Sequence, residues 1–187
     1  MKYCVVGITT QTATFRNPEF QDFHKSYNLP PPTTLVGLAG AALGLSPKAS
    51  QDYFNQSDFK MGVYGQPAGT TTDLWKYDDF KTGSIVKKEI LFQNHFVCVY
   101  GNANDKTVRE IQEAFINPKY ALTMGSSDSV AKINKPVKII TETTSYNMEF
   151  CLLEGDIINE VKDNTGNGME FSIYTTSDPI TYQLPVR

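Results

Sequence analysis

The chain predicts an α+β domain in which one sheet carries its helices on a single face and a hairpin projects from it. Three observations carry that prediction. Apolar residues run at strand spacing in KYCVVGI (2–8) and in EILFQNHFVCVY (89–100). Two other stretches, 33–44 and 105–116, repeat apolar residues at helical spacing. Between the second and third strands lies a polar segment, Pro67–Lys88, which reads as an extended hairpin or projecting loop.

Residues 2–8 alternate Tyr3, Val5 and Gly7 with Cys4, Val6 and Ile8, as a strand with two faces does. A long connection, Thr9–Pro32, follows, and connections of that length inside a domain tend to be functional. It mixes Phe15, Phe20, Phe23 and Tyr27 with Arg16, His24 and Lys25, the combination that stacking on unpaired bases requires. For Phe20 and Phe23 the simpler role, pinning the loop to the core, is preferred. Pro30, Pro31 and Pro32 force an extended arm, because each proline fixes its own φ and restricts the residue before it. Thr33 and Thr34 then offer hydroxyls to cap a helix whose buried side is Leu35, Leu38, Ala39, Ala42 and Leu43. Gly37, Gly40 and Ala41 are too small to fill a core and predict a close neighbour, and Gly44 suits a left-handed C-terminal cap. The arm thus delivers the positive end of a helix to a set place, and such ends attract phosphate.

Ser46-Pro47 starts a second short helix running to about Asn55. FKMGVYGQ (59–66) is a strand weakened by glycine, and in the segment after it Trp75 and Tyr77 alternate with Lys76, which puts the aromatics on one face of a strand. EILFQNHFVCVY is apolar on both faces beyond Asn94, hence central. Asn104 or Asp105 caps a helix with Val108, Ile111, Phe115 and Ile116 on one stripe, and Asn117-Pro118 ends it. Gly125-Ser126-Ser127-Asp128 is a small loop. VKIITETTSYNMEFCLL and MEFSIYTTSDPITYQLPVR supply the remaining strands. The order strand, helix, strand, strand, helix, strand is the ferredoxin-like arrangement βαββαβ, expected over 1–145, with a short C-terminal β extension over 146–187 packed on it.

Composition narrows the function classes. At 40% hydrophobic and 12% aromatic the chain is globular, and it contains no run of about 18 apolar residues able to span a membrane. Cys4, Cys98 and Cys151 sit in apolar contexts without close spacing, which predicts reduced, buried thiols and a cytoplasmic location. His24 and His95 lie far from each other and from the cysteines, so no metal site and no cofactor is expected. The net charge of −3 hides an asymmetry: residues 1–141 carry +3 and residues 142–187 carry −6. A basic face is therefore compatible with an acidic total.

Taken together, FRNP (Phe15–Pro18), SYNLPPPTTLVGLAGAALGL (Ser26–Leu45) and LTMGSSDSV (Leu122–Val130) resemble the Cas-five family of CRISPR-associated RAMP proteins, and the short C-terminal section is similar to its type I-B-like members. The resemblance implies a non-catalytic subunit of a type I Cascade complex that caps the 5′ handle of the guide RNA. The implied partners are that RNA, the Cas-seven backbone subunit, a Cas-eight-type large subunit and target DNA near the handle end. It also implies a β-hairpin thumb, here Pro67–Lys88, presenting Trp75, Lys76, Tyr77 and Lys81. The handle would meet Phe15, Arg16 and Asn17, the arm from Tyr27 to Thr33 and Thr34, and the loop Gly125, Ser126 and Ser127.

One branch of that family also cleaves the guide precursor without metal, so a metal-independent endoribonuclease is the alternative, and a ferredoxin-like interaction module without RNA is a third reading. Cleavage needs a base for the 2′-hydroxyl and a donor for the leaving 5′-oxygen. Tyr27 resembles the tyrosine of that branch, and His95 stands where a Lys-His pair is expected. Asn94 precedes it instead, which leaves the set incomplete.

Overall fold

The computed structural model describes residues 1–20, 23–56, 58–78, 83–141 and 151. Eight elements follow in order: β1 (Lys2–Ala13), β2 (Phe23–His24), α1 (Pro32–Leu43), α2 (Pro47–Gln56), β3 (Lys60–Asp78), β4 (Gly83–Asn102), α3 (Asp105–Ile116) and β5 (Lys132–Thr141). The expected βαββαβ order is present, with β2 and α2 as additions.

β4 is the centre of the sheet. β1 lies antiparallel along one edge of it, from Lys2↔Asn102 to Ala13↔Leu91, and β3 along the other, from Lys60↔Gly101 to Asp78↔Gly83. β5 pairs antiparallel with the far side of β1. The two-residue β2 runs parallel to β4 at Phe23↔Lys87 and His24↔Lys88, beyond the point where β1 ends. Cys4, Val6, Ile8 and Thr10 of β1 are buried while the residues between them are not, so one face of the sheet packs on the helices.

Two expectations on element length are revised. The first strand continues through TTQTA to Ala13 rather than stopping at Ile8. Its threonines are β-branched and suit a strand, here paired along β4 as far as Ala13, which a reading keyed to apolar alternation passes over. The hairpin at 67–88 is not a separate appendage. β3 and β4 are unbroken through it, so the thumb is the distal part of two core strands.

The helix after the proline arm begins at Pro32, with Pro31 at the N-cap and no side-chain cap bond. Thr33 and Thr34 therefore lie inside the first turn and not at the cap, which corrects the expected capping role. Proline is suited to this start because the N–H it lacks would have had no helical partner. α1 buries Leu35, Leu38, Ala39, Gly40 and Ala42, and each leucine so buried contributes about 1.5–3 kcal/mol. The Tyr100 hydroxyl, buried under α1, donates to the Leu35 carbonyl at 2.9 Å. At Gly40 a Cβ would fall 1.9 Å from Ser50 Oγ, so α1 and α2 touch where only glycine fits. Gly44, at φ 81, closes the helix with its N–H on Ala41, followed by the Leu45 N–H on Gly40. Ser46 Oγ accepts from Ala49 N at the start of α2, and Asn104 accepts from Lys106 N at the start of α3.

Phe54, Phe96, Tyr100 and Phe115 form the aromatic centre of the core, with Tyr100 5.4 Å from Phe115 and 6.1 Å from Phe54. Cys4 and Cys98 are free thiols at 0% exposure, and burial pushes each up to about 12. Cys151, half-buried, bridges to Tyr64. The C-terminal β extension proposed for 146–187 otherwise lies outside the described residues. No helix among the described residues is long and apolar enough to cross a membrane.

Candidate nucleic-acid interface

At the end of the sheet where β1 stops, a cleft of about 340 Å³ is lined by Thr14, Arg16, His24, Trp75, Lys88 and the loop Gly125–Asp128. Five separate parts of the chain meet there, and each is held by backbone bonds.

The segment after β1 folds back on the residues before the proline arm. Tyr27 N donates to Phe15 O at 2.8 Å and Asn17 N to Lys25 O at 2.8 Å, and Arg16 bridges Ser26 between them. Phe15 N donates to Ser26 Oγ, and Ser26 N donates to the Glu89 carboxylate of β4 at 2.9 Å. This ladder holds Arg16 over the cleft, while β2 places His24 beside Lys88 through their shared register.

The opposite wall is the loop 122–131, closed by Met124 N to Ser129 O at 2.8 Å, Ser129 N to Ser126 O at 3.0 Å and Ala131 N to Leu122 O at 2.8 Å. Gly125 sits at φ 84, and a Cβ there would lie 1.7 Å from the Thr14 carbonyl oxygen. Glycine is required on both grounds: the left-handed backbone and the contact with the end of β1. The N–H groups of Ser126 and Ser127 have no hydrogen-bond partner among the described residues.

Trp75 stands on the thumb strand with 48% of its surface exposed. The His24 ring meets it edge-on at 6.1 Å, and Lys88 Nζ lies 4.9 Å from its centroid. The charged lining is Arg16 and Lys88 against Asp128 alone. Partial burial, and then the Arg16 and Lys88 charges, lower the His24 imidazole from its ordinary value. The cleft thus combines a large ring face, two cations and a glycine-bearing loop. That combination can take one unpaired base with its phosphate.

The sequence-predicted residues divide accordingly. Arg16, Trp75, Gly125, Ser126 and Ser127 meet in the cleft. Phe15 is 2% exposed and packs edge-on against Phe96 at 5.8 Å. Asn17 is buried, its side-chain oxygen accepting from Glu19 N. Tyr27 is 8% exposed, in the core. Thr33 and Thr34 are in the first turn of α1, away from the cleft lining. Lys76 is exposed on β3, and Tyr77 follows it there, paired with Ser84. Lys81 lies outside the described residues. Phe20, expected to pin its loop inward, is 40% exposed with Lys25 Nζ 5.5 Å from its ring.

Thr14, His24, Lys88 and Asp128 complete the lining; Asp128 belongs to the loop expected to meet the handle and His24 to the aromatic and cationic connection, whereas Thr14 and Lys88 were not singled out as binding residues. For His24 and Lys88 the missing information is the β2–β4 register, which no local pattern encodes. The two residues considered for catalysis do not line the cleft. His95 is exposed, with Nδ1 3.5 Å from Thr9 Oγ1. Burial and then Glu19 raise the Tyr27 phenol above its ordinary value. No group of three or more His, Cys, Asp or Glu that could hold a metal occurs among the described residues.

Among solved structures, one described as a CRISPR RNA-guided surveillance complex aligns at 14% identity with TM-score 0.52, covering 67% of this chain and 58% of its own. Another, described as a crystal structure of Cas protein, aligns at 18% identity with TM-score 0.48, covering 67% of this chain and 57% of its own. The chain therefore spans less than two thirds of the length of either. No curated protein sequence matches it. The sequence pattern of one family, described as CRISPR-associated protein (Cas_Cas5), matches residues 5–162. With that match extending over most of its length, the chain belongs to the CRISPR-associated Cas5 family.

Proposed function

We propose that this protein is a non-catalytic subunit of a CRISPR RNA-guided surveillance complex, and that its cleft holds the 5′ handle of the guide RNA. Family membership and the shared fold with a component of such a complex support the assembly. The observation that carries the RNA reading is the meeting of Arg16, His24, Trp75, Lys88 and the Gly125–Asp128 loop in one open cleft. A single-stranded handle is bound by stacking, backbone contacts and shape, and all three have a matching element here. The thumb would follow the guide beyond its handle, and the rest of the surface would meet the backbone subunit, the large subunit and target DNA. The Tyr27 phenol is buried, outside the cleft lining and raised above its ordinary value, which suits it poorly to act as a base and favours the binding role over precursor cleavage.

The test compares Arg16→Ala and Trp75→Ala with Lys60→Ala in binding to a handle-bearing guide RNA. Lys60 is paired with Asp58 near the opposite end of β3. Stacking is worth about 1–3 kcal/mol per base, so Trp75→Ala should weaken binding about 5- to 150-fold. Arg16→Ala should weaken it by about tenfold, and Lys60→Ala should change it little. Equal effects of all three would refute the assignment of the cleft.

A further inference from the structure

We propose that His24 takes up a proton when the cleft binds RNA, so that an imidazolium joins Arg16 and Lys88 in engaging a phosphodiester beside an unpaired base. This rests on the reading of the cleft as an RNA site. The geometry places His24 in the same cleft as Arg16 and Lys88. β2 sets it in register with Lys88, Arg16 lines the same cleft from the segment after β1, and its ring edge meets Trp75 at 6.1 Å.

The groups around His24 account for both states. Arg16 and Lys88 oppose a third positive charge in the empty cleft, and Asp128 on the glycine loop is the one carboxylate in the lining. Of the neighbouring acids, Glu89 on β4 is engaged by Ser26 N, and Asp73, opposite Lys88 on β3, accepts from its own Leu74 N. Lys25, next in the chain, points its ammonium at Phe20. Burial, and then the Arg16 and Lys88 charges, make the ring hold its proton less well than a free histidine does. A phosphodiester drawn to Arg16 and Lys88 enters beside His24. An opposite charge within about 4–6 Å raises such a group by about one unit or more.

The sign follows from linkage. The bound complex holds the proton to a higher pH than the empty protein does. Affinity is therefore greatest below the free histidine's titration and falls as pH rises through that of the complex.

The experiment measures the affinity of the full chain for a short oligouridylate, whose bases do not titrate in this range. Intrinsic fluorescence follows binding from about pH 5.5 to about pH 8 at constant ionic strength, with Trp75, the single tryptophan, as reporter. The wild-type protein should bind about tenfold tighter at the acidic end. His24→Gln should lose that slope, His24→Lys should bind with the tighter affinity at both ends, and His95→Gln should keep the wild-type slope. A slope that survives in His24→Gln, or pH-independent wild-type binding, overturns the proposal while leaving the RNA reading intact. If no variant binds oligouridylate or handle RNA at any pH, the RNA reading falls and this inference with it. If His24→Gln fails to fold, a pH slope retained in His24→Lys overturns the proposal equally.

Discussion

Replacing Gly125 by alanine tests the cleft through its backbone alone. At φ 84 an alanine pays about 1–2 kcal/mol for the left-handed conformation. Its Cβ would also fall 1.7 Å from the Thr14 carbonyl oxygen and 2.8 Å from the carbonyl carbon, so no side-chain rotation relieves the contact. The loop has to withdraw from the end of β1, breaking the Thr14 N to Met124 O bond, worth about 0.5–1.5 kcal/mol. Together these give about 1.5–3.5 kcal/mol. At roughly 2–4 °C per kcal/mol for a chain of this size, calorimetry should show Tm lowered by about 3–14 °C. Withdrawal also carries Ser126 and Ser127 away from Arg16, so RNA affinity should fall by at least about tenfold in the still-folded protein. Gly125→Asn separates the two causes, since asparagine tolerates the left-handed backbone but still brings a Cβ. It should recover less than half of the loss. A Gly125→Ala protein with unchanged Tm and unchanged affinity would refute both the loop geometry and its role.

Two further outcomes are expected. In α1, Gly37→Ala should stabilise by about 0.5–1 kcal/mol, because nothing lies within 4 Å of its Cβ position, whereas Gly40→Ala should destabilise by more than about 2 kcal/mol against Ser50 and be partly rescued by Ser50→Gly. Urea titrations of the three variants would check this, and equal responses at the two glycines would contradict the α1–α2 packing. Burial keeps Cys4 and Cys98 protonated up to about 12, while in the unfolded chain they ionise near 9. Stability should thus be untouched by these thiols below pH 9. It should fall as pH rises from there towards 12, by up to about 1.4 kcal/mol per unit for each thiol, as measured by alkaline denaturation. Fast alkylation of both in native protein at about pH 8 would contradict it.

Much of the fold was legible in the residues because local signals and tertiary packing agree. The apolar run through Val97 and Val99 is a central strand, the stripe Val108, Ile111 and Phe115 is the buried side of α3, and Gly44 caps α1. The errors occur where local and non-local preferences differ. The polar TTQTA continues β1 because β4 pairs with it as far as Ala13, and the threonines fail to cap α1 because the prolines start the helix a residue earlier. Phe15, Asn17 and Tyr27 carry the residue types of a binding loop, yet the fold turns them inward. Alternation along a short ladder decides which side chain faces the cleft, and Arg16 is the one that does.

By itself the sequence determined the element order, the proline-led helix with its glycine close contact, and the left-handed cap at Gly44. These depend on φ, on side-chain size and on periodicity, all of which are properties of neighbouring residues. Only the tertiary structure decided that His24 lies beside Lys88, that both meet Trp75, and that Gly125 presses on Thr14. Those meetings arise from sheet register and from the end of β1 packing on a distant loop. A shift of one residue would turn each side chain to the other face.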